Sequence, residues 1–147
     1  MFVEKQGDMF TSDCDVLVNP TNSFGVMGAG LAKVFKEKYP ISCEAYNNHS
    51  RKINLNRDKL IDPAIFFENG KYVLMFPTKI HWKHPSKFDY LDKSLQRSME
   101  ILEELEHPSI AFPAVGAGLG GLNQALVFRL IRNKMKTYNN IVELYSN

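Results

Sequence analysis

The chain has two cysteines, one tryptophan and no uninterrupted apolar run near the roughly 18 residues that a membrane-spanning helix needs. Cys14 and Cys43 stand alone, without metal-ligand spacing or a second pair, so neither a zinc site nor a disulfide framework is expected. Residues 1–8 lack the basic-then-apolar layout of a secretory signal, which leads us to expect a cytoplasmic protein with no membrane partner. There is no internal repeat and no low-complexity segment. Charge of neither sign dominates: 18 Lys and Arg face 16 Asp and Glu, a net charge of +2 that says nothing about partners. At 147 residues, 44% hydrophobic and 23% charged, the sequence has the size and composition of one globular domain, expected over residues 1–147.

Charge is more telling in its distribution. From Lys71 to Lys87 there are four lysines, with His81, His84 and Trp82, and no acid. Such a stretch is either a site for a polyanion or a solvated loop.

Short runs rich in β-branched and aromatic residues at 16–18, 64–67, 72–76, 110–112 and 141–145 predict buried strands, and Phe2 and Val3 predict an edge strand. Asn69-Gly70 between two of these runs supplies the positive φ angles of a type I′ turn, predicting an antiparallel hairpin. Helices are predicted from the three- and four-residue spacing of Leu31, Val34, Phe35 and Tyr39, of Leu91, Leu95, Met99 and Leu102, and of Val127, Leu130, Ile131 and Met135. A short helix is expected near residues 43–50, separated from its predecessor by a break at Pro40. This alternation implies an α/β fold, a three-layer α/β/α sandwich around a central mixed sheet.

Three unusual segments start where predicted strands end: residues 19–30, 77–85 and 113–121. In largely parallel sheets ligands bind at the carboxyl ends of strands, so strands running the same way bring these segments to one rim. Gly25-Val26-Met27-Gly28-Ala29-Gly30 leads into a helix, where unpaired N–H groups suit an anionic phosphate; a tight turn is the plainer reading. Gly116-Ala117-Gly118-Leu119-Gly120-Gly121 fits G-x-G-x-x-G. A dinucleotide site of the Rossmann type also needs an acid ending the next strand and further βαβ units, whereas the one candidate, Glu143, lies inside the last strand.

Taken together, Gly7-Asp8-Met9, Val16-Leu17-Val18-Asn19-Pro20-Thr21-Asn22, residues 25–30 and residues 113–121 resemble the macrodomain family of ADP-ribose binders. Residues 25–32, Phe76-Pro77-Thr78-Lys79-Ile80-His81-Trp82-Lys83 and Gly118-Leu119-Gly120-Gly121-Leu122 are most similar to DarG-type antitoxin macrodomains, which remove ADP-ribose from DNA bases modified by DarT toxins.

That resemblance implies an ADP-ribosyl glycohydrolase acting on single-stranded DNA, with no metal and no redox cofactor, and with a DarT-type toxin as a further partner. It implies an adenine contact at Asp8 and Met9, where capping a turn is the alternative, and a distal-ribose contact at Asn22, whereas Asn19 is expected to hold its loop. Gly28, Ala29 and Gly30 are expected to face the phosphates and ribose from one side, and Val115, Gly116, Ala117, Gly118 and Leu119 from the other. Lys79 matches the family's catalytic lysine; its amine would attack the anomeric carbon, with Lys83 and burial lowering its pKa, or would serve only as a phosphate contact. His81, Trp82 and Lys83 are candidate DNA contacts, with Trp82 packed on the sheet as the alternative. Related enzymes carry an acid where Gly120 and Gly121 stand, and many DarG-type domains have Asp-Trp in place of Asn123-Gln124, so no general acid or base besides Lys79 is assigned. Two other functions fit the same motifs: a non-catalytic ADP-ribose reader, and a hydrolase of protein ADP-ribosyl esters or O-acetyl-ADP-ribose. Antitoxin and phage counter-defence are both compatible biological roles.

Overall fold

The computed structural model describes residues 1–56 and 58–146. Six strands, β1 (Phe2–Gln6), β2 (Val16–Asn22), β3 (Ala64–Glu68), β4 (Lys71–Lys79), β5 (Ile110–Pro113) and β6 (Val142–Ser146), form one sheet in the order β1-β6-β5-β2-β4-β3. Every neighbouring pair is parallel except β3 and β4, the expected hairpin. Its turn residues Asn69 and Gly70 have φ of 52° and 77°, the backbone that a type I′ turn demands.

Successive residues of a strand face opposite sides of a sheet, and β2 shows this with both sides apolar. Val16 and Val18 join Leu74, Phe76, Phe112 and Leu144 in a core capped by α3 (Phe88–Glu104) and α4 (Gln124–Lys134). Leu17 joins Val73, Met75, Phe35 and Tyr46 in the opposite core, under α1 (Gly30–Lys38) and α2 (Pro40–Ile53). The three-layer α/β/α sandwich around a mixed sheet is therefore the observed architecture. Among the described residues, no helix is long and apolar enough to cross a membrane.

Three elements outrun the sequence reading. The helix expected near residues 43–50 spans Pro40–Ile53, because Pro40 sits in its first turn, where a fixed φ and a missing N–H suit helix initiation. Strands β2 and β4 continue past their apolar runs to Asn22 and Lys79 and take in Pro20 and Pro77. Proline argues against a central strand, but here both lie in the last residues of their strands, beside a register shift between Thr21 and Asn22.

Because β1, β2, β4, β5 and β6 run the same way, their carboxyl ends, Gln6, Asn22, Lys79, Pro113 and Ser146, share one rim. All three unusual segments leave from that rim.

Candidate functional site

A cleft of about 670 Å³ opens there. Its floor is made by the ends of β2 and β4, with Pro20, Thr21, Asn22, Thr78 and Lys79. One wall carries Val26, Gly28, Ala29, Gly30, Leu31 and Ala32, the other Pro113, Ala114, Gly116, Gly118, Leu119 and Gly120, and Trp82 stands at the lip.

The first glycine loop is held from beneath. Asn22 Oδ1 accepts from the N–H groups of Phe24 (3.0 Å) and Val26 (3.2 Å), and its Nδ2 donates to the Val26 carbonyl at 2.8 Å. The hydroxyl of buried Tyr46 donates to the Asn22 carbonyl, and Asn47 Nδ2 donates to that of Gly25 (each 2.9 Å). Gly25 has a φ of +75°, and a Cβ there would meet Asn47 Cα at 2.9 Å, so α2 presses directly on this turn. α1 then begins at Gly30 with no side-chain cap, and its first backbone bond runs from Lys33 N to the Ala29 carbonyl. The N–H groups of Gly30, Leu31 and Ala32 are left at the positive end of a helix, on the cleft wall.

The second loop is tied to the floor. Ser86 N donates to the Gly120 carbonyl (3.0 Å), Ser86 Oγ donates to Thr78 Oγ1 (3.1 Å), and Thr78 Oγ1 donates to the Thr21 carbonyl (3.3 Å). Among the described residues, the N–H groups of Gly118, Leu119 and Gly120 find no acceptor. The two loops touch at the top of the cleft, where Leu119 Cδ1 lies 3.2 Å from the point that a Cβ on Gly30 would occupy.

Of the residues the sequence singles out, Asn22, Gly28, Ala29, Gly30, Lys79, Trp82, Gly116, Gly118 and Leu119 come together on this cleft. Val115 and Ala117 do not line it: they are buried in the core under α3 and α4, and their N–H groups bond to the carbonyls of Pro113 and Ala114. Asp8 and Met9 also lie off the cleft wall. Asp8 is exposed and caps the 3-10 turn Met9–Thr11 through the Phe10 N–H (2.9 Å), while Met9 is packed in the core. Asn22 keeps one amide hydrogen for a ligand, the rest of its capacity being engaged by the loop. Asn19 holds no loop backbone; its Nδ2 lies 3.3 Å from the sulfur of Met75 and 3.8 Å from that of Met27.

Among the described residues, Lys79 is the one ionisable side chain lining the cleft, and no acid shares the lining with it. Burial pushes its amine below the ordinary 10.5. Lys83, expected to help, does not contribute; its ammonium sits 4.9 Å from the centre of the Trp82 ring instead. Trp82 is 45% exposed and stacks on His81, whose ring meets Phe24 edge-on, so it projects at the lip rather than packing on the sheet. His81 and Lys83 flank that ring without lining the cleft. The acid-free stretch is not one surface: Lys71 lies at the far end of β4 and donates to the carbonyls of Ser12 and Cys14.

The sequence reading quoted Thr78 within its motif but gave it no role, and it passed over Ser86, Tyr46 and Asn47, which have no local signature because each acts on a loop far along the chain. Asn123 caps α4 by accepting from Leu126 N at 3.1 Å. Among the described residues, no three His, Cys, Asp or Glu side chains gather where they would hold a metal ion.

A family model described as the Macro domain matches residues 18–131. A curated relative from Mycobacterium tuberculosis, named DNA ADP-ribosyl glycohydrolase, is 35% identical over 125 residues, covering 84% of this chain and 35% of the relative. The chain thus spans about a third of that relative's length. The solved macrodomain of Mycobacterium tuberculosis DarG superposes with a TM-score of 0.88 at 29% identity, covering 99% of this chain and 97% of that one. Thermosipho africanus DarTG, solved in complex with ADP-ribose, superposes with a TM-score of 0.82 at 29% identity over 96% of this chain and 40% of that one.

Proposed function

We propose that this chain, which belongs to the macrodomain family and resembles DarG macrodomains in sequence and fold, is a glycohydrolase that removes ADP-ribose from modified bases of single-stranded DNA. The observation that carries this reading is Lys79: a partly desolvated amine with no acid beside it, on the floor between two walls of unpaired N–H groups.

The diphosphate of ADP-ribose would lie between the N–H groups of Gly30, Leu31 and Ala32 and those of Gly118, Leu119 and Gly120. Both sets donate to an anion without moving a charged side chain into the cleft. That arrangement leaves the distal ribose over the floor, beside Asn22 and Lys79. The neutral amine of Lys79 uses its lone pair to form a bond to the anomeric carbon. The glycosidic carbon–nitrogen bond breaks, its electrons go to the departing base, and the base takes up a proton. The ribosyl-lysine opens to a Schiff base, which water hydrolyses to release ADP-ribose and restore the amine.

In this reading Val115 and Ala117, buried beneath the second loop, hold no ligand, and Asp8 with Met9, off the cleft wall, would meet only the adenine end. The role is that of an antitoxin or a counter-defence enzyme opposing a DarT-type transferase in the cytoplasm. The curated Thermosipho africanus relative is itself named a DNA ADP-ribosyl transferase–glycohydrolase fusion.

The deciding experiment incubates wild type and Lys79→Ala with a single-stranded oligonucleotide ADP-ribosylated on a base and, in parallel, with an ADP-ribosylated protein. Release from DNA by wild type alone supports the proposal. Binding of free ADP-ribose without release by either protein identifies a reader, and release from the protein alone identifies an ester hydrolase.

A further inference from the structure

Lys79 and Ile80 are neighbours in sequence but line different cavities: Lys79 the cleft, and Ile80 a second one of about 330 Å³ between residues 59–63 and the start of α3. Lys79 closes β4 and Ile80 is the residue after it, so the backbone that joins them forms a ridge between the two spaces, and Trp82, two residues on, lines the cleft.

The second cavity is lined by Lys59, Asp62, Ile80, Tyr90 and Lys93, among others. Tyr90 is half-buried, with the ammonium of Lys87 lying 5.4 Å from its ring centre. Asp62 is turned to Arg97 Nε at 3.2 Å, and Glu100 pairs with the same guanidinium through Nη1. Lys93 approaches Asp89 only at 3.9 Å, with side chains 66% and 77% exposed, a pairing too solvated to hold the lysine. Lys59 enters no ion pair among the described residues. The cavity therefore offers one aromatic ring, two available ammonium groups and a third over the ring.

We infer that this cavity seats a nucleotide flanking the modified one in a single-stranded substrate, its base against Tyr90 and its phosphates against Lys59 and Lys93. Single-stranded nucleic acid is recognised by aromatic faces set beside cations that follow the backbone. Here both occur one ridge away from the reacting amine. A strand leaving the cleft crosses Trp82 and Lys83, themselves a ring and a cation in contact, before reaching the second cavity. An acidic peptide would use the lysines but has no need of the ring.

The inference rests on the glycohydrolase reading, and its test separates the two. The full chain, the Lys59→Glu/Lys93→Glu double variant and Tyr90→Ala are compared on an ADP-ribosylated single nucleoside and on an ADP-ribosylated oligonucleotide of about ten nucleotides. Thermal unfolding and ADP-ribose affinity serve as controls for folding. Both variants should process the nucleoside within twofold of wild type, yet lose about tenfold or more in kcat/KM on the oligonucleotide, mainly through KM. The salt dependence of oligonucleotide binding should become shallower by about 1.4 in log–log slope for the double variant, the value for two lost phosphate contacts on a single strand. Equal losses on both substrates, or none on the oligonucleotide, would overturn the inference. If wild type cleaves neither substrate, anisotropy with the same oligonucleotide decides. Weaker binding by the variants then keeps the seat while the hydrolytic reading fails; unchanged binding removes the seat.

Discussion

Asn22 and Lys79 are register partners at the carboxyl ends of two adjacent parallel strands, brought opposite each other by the irregularity between Thr21 and Asn22. The residue that shapes the first glycine loop and the residue with the free amine are therefore fixed by one stretch of sheet.

The protonation of Lys79 sets the pH profile. Burial lowers its pKa, so the neutral, nucleophilic form is gained as pH rises, with a midpoint below the 10.5 of an ordinary lysine. kcat/KM should climb with unit slope as pH rises, pass an inflection below 10.5 and level off above it. An inflection at or above 10.5 would show that the amine is not desolvated. The same sign makes charged Lys79 a cost to folding at neutral pH, so Lys79→Met should unfold at a temperature no lower than wild type.

Gly120 and Gly118 should separate folding from binding. A Cβ on Gly120 would lie 2.3 Å from the Gly116 carbonyl oxygen and 2.4 Å from Ser86 Oγ, whereas one on Gly118 meets nothing within 4 Å. Gly120→Ala should lose about 1–3 kcal/mol of stability in urea unfolding. Gly118→Ala should unfold like wild type yet bind ADP-ribose at least tenfold more weakly by calorimetry, since its methyl group stands where the diphosphate meets the loop.

Removing the Asn22 amide strips acceptors from the N–H groups of Phe24 and Val26. Asn22→Ala should cost about 1–3 kcal/mol in chemical denaturation. Lost ADP-ribose affinity should accompany it. A variant of full stability with lost affinity would assign Asn22 to the ligand alone.

Glu143 gives the fold an acid-sensitive tie. Burial raises its pKa, but the hydrogen bond from Lys5, at 2.7 Å, together with those from Ser12, Cys14 and Tyr145, outweighs burial and leaves it below the ordinary 4.5. A depressed carboxylate pKa contributes stability that is present above 4.5 and lost as pH falls through the folded-state value. Unfolding free energies at pH 7 and pH 3 should differ less in Glu143→Gln than in wild type. An identical difference in both proteins would place the acid sensitivity elsewhere.

Much of this was legible in one dimension. Asn69-Gly70 announces its hairpin because both positions need positive φ, a purely local demand. The spacing of Leu91, Leu95 and Leu102 announces the buried face of α3 in the same way. The two glycine loops and the Phe-Pro-Thr-Lys motif mark the site because their chemistry is carried by consecutive residues. The apolar runs stop at Val18 and Phe76, whereas β2 and β4 continue through Pro20 and Pro77, because whether a missing N–H matters depends on what lies beside it in the sheet.

By itself the sequence determined which chemical groups are available and in what order: an amine after a strand, glycines where an anion can reach backbone N–H groups, and no acid on the basic stretch. The tertiary structure decided their neighbours. It turned Val115 and Ala117 into the core while leaving Gly116 and Gly118 on the cleft, and it sent Lys71 and Lys79 to opposite ends of one strand. It also joined Gly120 to Thr78 through Ser86. Propensity and periodicity act over a few residues, whereas burial, and with it the lowered pKa of Lys79, depends on contacts between segments far apart in the chain.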